Sequence, residues 1–152
     1  MEAVRLIVAT RHALAQAREV RDIVVEAWQA QALAEAIGSH LALHGPFEAR
    51  AAALGLSEAG ARASGALRQT ALRSGVLRAA QLAEVRDPWA VLTDLGELLG
   101  EVGIALVGVA GACEEDAVYW QCIEAIDAAD ETSDRIGGLL RRLALRTRGG
   151  AA

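Results

Sequence analysis

Lysine and asparagine are absent from this sequence, and all fifteen of its basic residues are arginine. The missing residues share AT-rich codons, so the bias marks a GC-rich bacterial genome and carries no mechanism. Aromatic residues are scarce at 3% of the chain. A β-sandwich or barrel draws on aromatic and β-branched residues in alternation, and that supply is missing here. There are two cysteines, Cys113 and Cys122. They are too few for a disulfide framework and lack zinc or redox-motif spacing, so a reducing cytoplasm is the expected compartment. On a single helix they would sit about 13 Å apart along the axis, beyond disulfide reach. The longest apolar run, Val102 to Cys113, has twelve residues. A bilayer needs about 20, so no membrane span is expected. The opening residues Met1-Glu2-Ala3-Val4-Arg5 lack the basic and apolar regions of a secretory signal.

What is abundant is small and apolar. Hydrophobic residues make up 53% of 152, and alanine, the best intrinsic helix former, supplies much of that excess. The length suits one domain with a real core. A net charge of −5 argues against wholesale coating of nucleic acid or of an anionic membrane. The expected fold is all-α, an antiparallel bundle of four to five helices closed by a C-terminal helical hairpin.

Spacing divides the chain. Val20, Ile23, Ala27, Ala30, Ala34, Ile37 and Leu41 recur every three or four residues, the apolar seam of one helical face. Ile7 and Leu14 lie on an earlier stripe slightly out of phase, which predicts a break between Arg18 and Asp22 with Asp22 as N-cap. Gly45-Pro46 ends the second helix. Beyond it, Gly55 is expected to stop a short helix, Ser57 to start another, and Gly60, Gly65 and Gly75 to weaken it at about 1 kcal/mol each. Asp87-Pro88 is a capping aspartate with proline at the first helical position.

Leu92, Leu95, Leu99, Val102, Leu106, Val109 and Cys113 then form a heptad seam. Tyr119, Cys122, Ile126, Ala129, Ser133, Ile136, Leu140 and Leu143 continue the rhythm on the next helix. A turn near Ala112 to Glu114 makes the pair an antiparallel hairpin in which facing residue numbers sum to about 225, bringing Leu99 near Ile126.

Residues with chemical potential are few. His40 and His44, four apart, could share a metal; beside a helix C-terminus they also serve as favourable cations. Glu124, Asp127, Glu131 and Asp134 fall at the heptad positions farthest from the seam and are expected in solvent. Gly96, Gly100 and Gly103 form a side-chain-free stripe that lets another backbone approach. Trp28, Trp89 and Trp120 are the large side chains of an alanine-rich core, with Trp120 at an outward position that suits an interface. No catalytic constellation and no phosphate-binding loop is visible.

No acid lies between Glu58 and Glu84, while Arg62, Arg68, Arg73 and Arg78 add four positive charges. The adjoining Ala51-Ala52-Ala53-Leu54-Gly55-Leu56-Ser57-Glu58 makes residues 46–68 resemble the helix-turn-helix of bacterial DNA-binding regulators, with the turn at Gly55. That resemblance implies a second helix in the major groove, Ser57, Glu58 and Arg62 facing bases, and Arg68 on a phosphate, with Arg73 further along the same basic run. The alternative is a helical corner whose arginines pair with the acidic C-terminal helix.

The leading functional reading is a non-enzymatic interaction or scaffold protein, without cofactor, that forms a homodimer through Gly96, Gly100, Gly103 and Trp120. A DNA-binding regulator using Ser57, Arg62, Arg68 and Arg73 is the alternative, and a metal-binding bundle at His40 and His44 the third reading.

Overall fold

The computed structural model describes residues 1–71 and 76–151. Five α-helices account for most of them: α1 Ala3–Gln16, α2 Val20–His44, α3 Arg50–Ala71, α4 Pro88–Ala110 and α5 Asp116–Ala151. Short 3-10 turns occur at Phe47–Ala49 and Arg78–Gln81. The fold is all-α, as composition and periodicity predict.

The long N-terminal run is two helices. Glu2 caps α1 by accepting from the Val4 amide at 3.0 Å, and α1 ends where the Ala17 amide turns back to Ala13 and Leu14. Its buried line Ala3, Leu6, Ile7, Thr10 and Leu14 contains the early stripe. The cap assignment is corrected: Glu19, not Asp22, precedes α2, and Asp22 sits in its first turn. An acid there still meets the positive end of the helix dipole.

Helix α2 is the axis of the molecule. It packs against α1, α3, α4, α5 and the Arg78–Gln81 turn. Five neighbours fit round one helix because α2 is thin: Ala27, Ala30, Ala32 and Ala34 are all buried, and small side chains allow axes to approach towards 8 Å. Three polar residues of α2, Glu26, Gln29 and Gln31, are also buried. Each has a partner. Glu26 pairs with Arg78 at 2.5 Å, the Gln29 amide donates to the Val76 carbonyl and its oxygen accepts from the Arg78 amide, and Gln31 accepts from Thr132 on α5 at 2.9 Å.

The connection from α3 to α4 is thereby strapped across α2. Its far end also pairs with the N-terminus, where Ala83 donates to Met1 and Ala3 donates to Glu84. This single parallel bridge between Glu2 and Glu84 is the only extended pairing among the described residues.

The central region differs most from expectation. Helix α3 runs unbroken through Gly55, Ser57, Gly60 and Gly65, so there is no turn at Gly55. The reason lies in the packing of α3 on α2. A Cβ on Gly60 would stand 2.6 Å from the Glu35 nitrogen and 2.8 Å from the Gln31 carbonyl, and one on Gly38 would stand 2.6 Å from the Ser57 nitrogen. Two antiparallel backbones touch here, one glycine from each, and the contact supports a helix whose local propensity is poor. Gly65 has nothing within 4 Å and takes no part. The expected break at Ser74-Gly75 lies outside the described residues.

The C-terminal hairpin is present. Asp87 accepts from the Ala90 amide at 3.2 Å with Pro88 opening α4, and Gly111 follows its last residue. Leu92, Leu95, Leu99, Val102 and Leu106 are fully buried, joined by Val91 and Leu98; a buried leucine contributes about 1.5–3 kcal/mol relative to an exposed one. On α5 the buried line is rotated from the predicted seam. It runs through Cys122, Ala125, Ala129, Thr132, Ile136, Leu139 and Leu143, while Tyr119 is exposed. Helix α5 packs on α2 and α3 as well as α4, so its most buried line points between its partners and not at α4 alone.

Candidate functional site

With α1 on one side of it and α5 on the other, α4 keeps an outward face. Ile104 is 75% exposed and Val107 58% exposed. Around them, Cβ atoms built on Gly100, Gly103 and Gly108 would have no neighbour within 4 Å. Of the predicted glycine stripe, Gly96 alone faces another helix, where an added Cβ would stand 3.6 Å from Ile136. Gly100 and Gly103 seat no described part of this chain.

Two grooves flank this ridge, and Ile104 lines both. The larger, about 620 Å³, lies between α1 and α4 and is lined by Val8, Leu14, Ala15, Ile104 and Ala105, with Arg11, His12 and Glu101 at its polar side. The smaller, about 370 Å³, lies between α4 and α5, where Leu99, Gly100, Gly103 and Val107 face Ile126, Asp130 and Ser133. Leu99 and Ile126 thus share one groove, as the hairpin register predicts. Val8, on the α1 flank, is itself 57% exposed.

The charge beside the ridge is neutralised locally. Arg11 of α1 donates through Nε and Nη2 to both carboxylate oxygens of Glu101, at 3.1 and 2.5 Å, and through Nη1 to Glu97 at 3.3 Å. The hydrogen bond to Glu101, followed by the fields of Glu101, Glu97 and Asp94, raises the guanidinium pKa against the opposing effect of burial. This fork ties α1 to α4 and leaves an apolar surface beside a closed ion pair.

The other predicted residues are scattered. Ser57 is buried on α3, and its hydroxyl shares a 2.6 Å hydrogen bond with Ser39. Arg62 is bound to Glu131 of α5 at 2.6 Å, and Arg78 to Glu26. Arg68 is exposed, and Arg73 lies outside the described residues. The turn expected at Gly55 is corrected, since α3 continues through it; Ser57 is sealed between helices, and two arginines of the run bind carboxylates.

His40 and His44 have ring centroids 4.9 Å apart. Among the described residues, no group of three or more His, Cys, Asp or Glu side chains is placed to hold a metal ion. Glu124, Asp127, Glu131 and Asp134 are all exposed, as their heptad positions predict.

The tryptophans divide. Trp28 is packed against the core, whereas Trp89 and Trp120 are 50% and 61% exposed; Trp89 is not the core side chain its bulk suggests, and Trp120 is outward as its heptad position predicts. Trp120 meets Tyr119 edge-on at 5.3 Å. It stands in line with Asp127 and Glu131, about 120° round α5 from Ile126, and so faces away from the α4 groove.

Sequence reasoning missed Ile104, Val107 and the α1 flank. Their signal was present: Ile104 and Val107 are apolar residues outside the Leu92-to-Cys113 seam, and a helix with one partner has no use for them there.

A five-helix bundle with an uncovered apolar helix face is the class that fold and surface define. A family model described as a family of unknown function (DUF6099) matches residues 1–142. The chain belongs to that family. No curated protein and no solved structure matches it. No helix among the described residues is long and apolar enough to cross a membrane.

Proposed function

We propose that this chain is a helical interaction module whose outward α4 face pairs with a second copy of itself. The observation that carries the reading is the exposure of Ile104 and Val107 among glycines with open space above them. An apolar ridge in water costs about 25 cal/mol per Å² that could be buried. Glycines on the same face allow a second backbone to come close.

A second copy fits because ridge and groove belong to one patch. A two-fold interface needs a surface complementary to itself, and Ile104 borders a groove on each side. In such a pair Ile104 of each copy enters the groove beside the other copy's α4. The Arg11 fork to Glu97 and Glu101 is closed within each chain, so no unpaired arginine opposes the approach.

Sedimentation equilibrium across the micromolar range tests this. The unmodified chain is expected to be dimeric, and Ile104→Asp monomeric with unchanged far-UV circular dichroism. Gly100→Leu is a second probe, because the space above Gly100 is empty within one chain and filled only in the pair. An unmodified chain that is monomeric throughout that range overturns the reading.

A further inference from the structure

Positive charge and exposed apolar side chains meet at one end of the bundle, where α2 stops, α3 starts and α5 packs against the short turn between them. Three contacts bring these segments together. Arg146 of α5 pairs with Glu48 at 3.6 Å, Arg50 of α3 donates to the Gly45 carbonyl at 3.0 Å, and a Cβ on Gly55 would stand 3.4 Å from Arg135 of α5. Residues 40–56 and 135–146 hold five arginines, Arg50, Arg135, Arg141, Arg142 and Arg146, against one acid, Glu48, in a chain whose net charge is −5. All five are exposed, and among the described residues Arg146 is the only one of them bound to a carboxylate. The helix dipole does not account for them. It attracts cations over the last turn of a helix, whereas Arg135 and Arg142 lie more than two turns before Ala151 and Arg50 opens α3, where the dipole opposes it. Beside the arginines, Leu43 and Leu145 are 70% and 59% exposed, and Phe47, at 79%, is the most exposed large apolar side chain among the described residues.

We infer that this end of the bundle docks on an anionic lipid bilayer, with its arginines among the headgroups and Phe47, Leu43 and Leu145 entering the layer beneath. Two chemistries on one surface select that partner. Lipid phosphates answer the arginines that bind no carboxylate, since the guanidinium fork matches phosphate geometry. A nucleic acid would satisfy the same charge but would leave the leucines against a polar backbone, whereas the boundary between headgroups and acyl chains takes both kinds of side chain. The net charge of −5 argues against adhesion over the whole surface, and it turns this pole toward a negative one. No helix among the described residues can cross the bilayer, so the attachment is peripheral. This inference stands apart from the pairing of α4.

Co-sedimentation of the full chain with large unilamellar vesicles at about 0.15 M salt tests it. Vesicles of phosphatidylglycerol and phosphatidylcholine in equal parts are compared with vesicles of phosphatidylcholine alone. The chain is expected to pellet with the first, and to stay in solution with the second and without vesicles. A basic residue at an anionic surface strengthens binding about fivefold, so Arg141→Gln with Arg142→Gln is expected to weaken it about 25-fold. Phe47→Ser is expected to weaken it about tenfold or more. These side chains are exposed, so far-UV circular dichroism is expected to be unchanged in both variants. No pelleting with the anionic vesicles, equal pelleting with the neutral ones, or sedimentation of the chain by itself would each overturn the inference. So would a Phe47→Ser chain that binds as tightly as the unmodified one, or tighter binding to a DNA duplex than to the anionic vesicles.

Discussion

Replacing Gly60 by alanine sets local preference against packing, and the structure says which wins. In an isolated helix the change gains about 1 kcal/mol. Here the new methyl carbon would lie 2.6 Å from the Glu35 nitrogen, against 3.4 Å for an ordinary contact. Relief requires α2 and α3 to part by about 0.8 Å, the difference of those two distances. A gap of that size forfeits a quarter to a half of each dispersion contact worth about 0.1–0.2 kcal/mol. Over the tens of contacts along the crossing, the loss is about 2–4 kcal/mol. After the propensity gain, Gly60→Ala is expected to destabilise the chain by about 1–3 kcal/mol, which lowers Tm by about 3–10 °C at this size.

Urea titration followed by far-UV circular dichroism measures it, provided the slope is unchanged. Gly65→Ala is the matched control: same helix and same chemistry, but nothing within 4 Å, so it is expected to stabilise by about 0.4–1 kcal/mol. Gly38→Ala should behave like Gly60→Ala. The two together should cost less than their sum, since helices parted for one methyl already accommodate part of the other. A Gly60→Ala chain as stable as the unmodified one would refute the close backbone contact.

Two further outcomes follow from the buried polar groups. Arg78→Met leaves the Glu26 carboxylate buried without its cation and is expected to cost about 2–4 kcal/mol in the same titration, whereas Glu26→Met with Arg78→Met together should recover much of that loss; a double variant no better than the single would count against the pairing. The raised pKa of Cys122 makes folding favour its protonated form. Its contribution is fully present below the ordinary thiol value of about 8.5 and is lost as pH rises through the higher folded value. Cys122→Ala should flatten the alkaline fall in Tm relative to the unmodified chain, and parallel profiles would contradict the assignment.

Much of the architecture was legible because it depends on local spacing. The Asp87-Pro88 start, the Gly45-Pro46 stop, the α4 leucine seam and the outward acidic row of α5 each follow from residues within a few turns of one another. Gly55 shows where such reading ends. Its sequence neighbourhood suits a turn, and the helix persists because α2 lies against it one turn on. The candidate surface was half legible: the glycine stripe could be read, but not whether another part of the chain would fill it.

What the order of residues determined alone was the helical class, its principal caps and the alternation of apolar and charged faces, since all are settled by interactions reaching three or four positions along the chain. Tertiary structure decided which helix became the axis, that Gly38 meets the α3 backbone at Ser57 and Gly60 the α2 backbone at Glu35, and that Arg78 reaches Glu26. Those outcomes join residues 19 to 52 positions apart, and no local preference acts over such a distance; the dense packing of five helices in one small volume does.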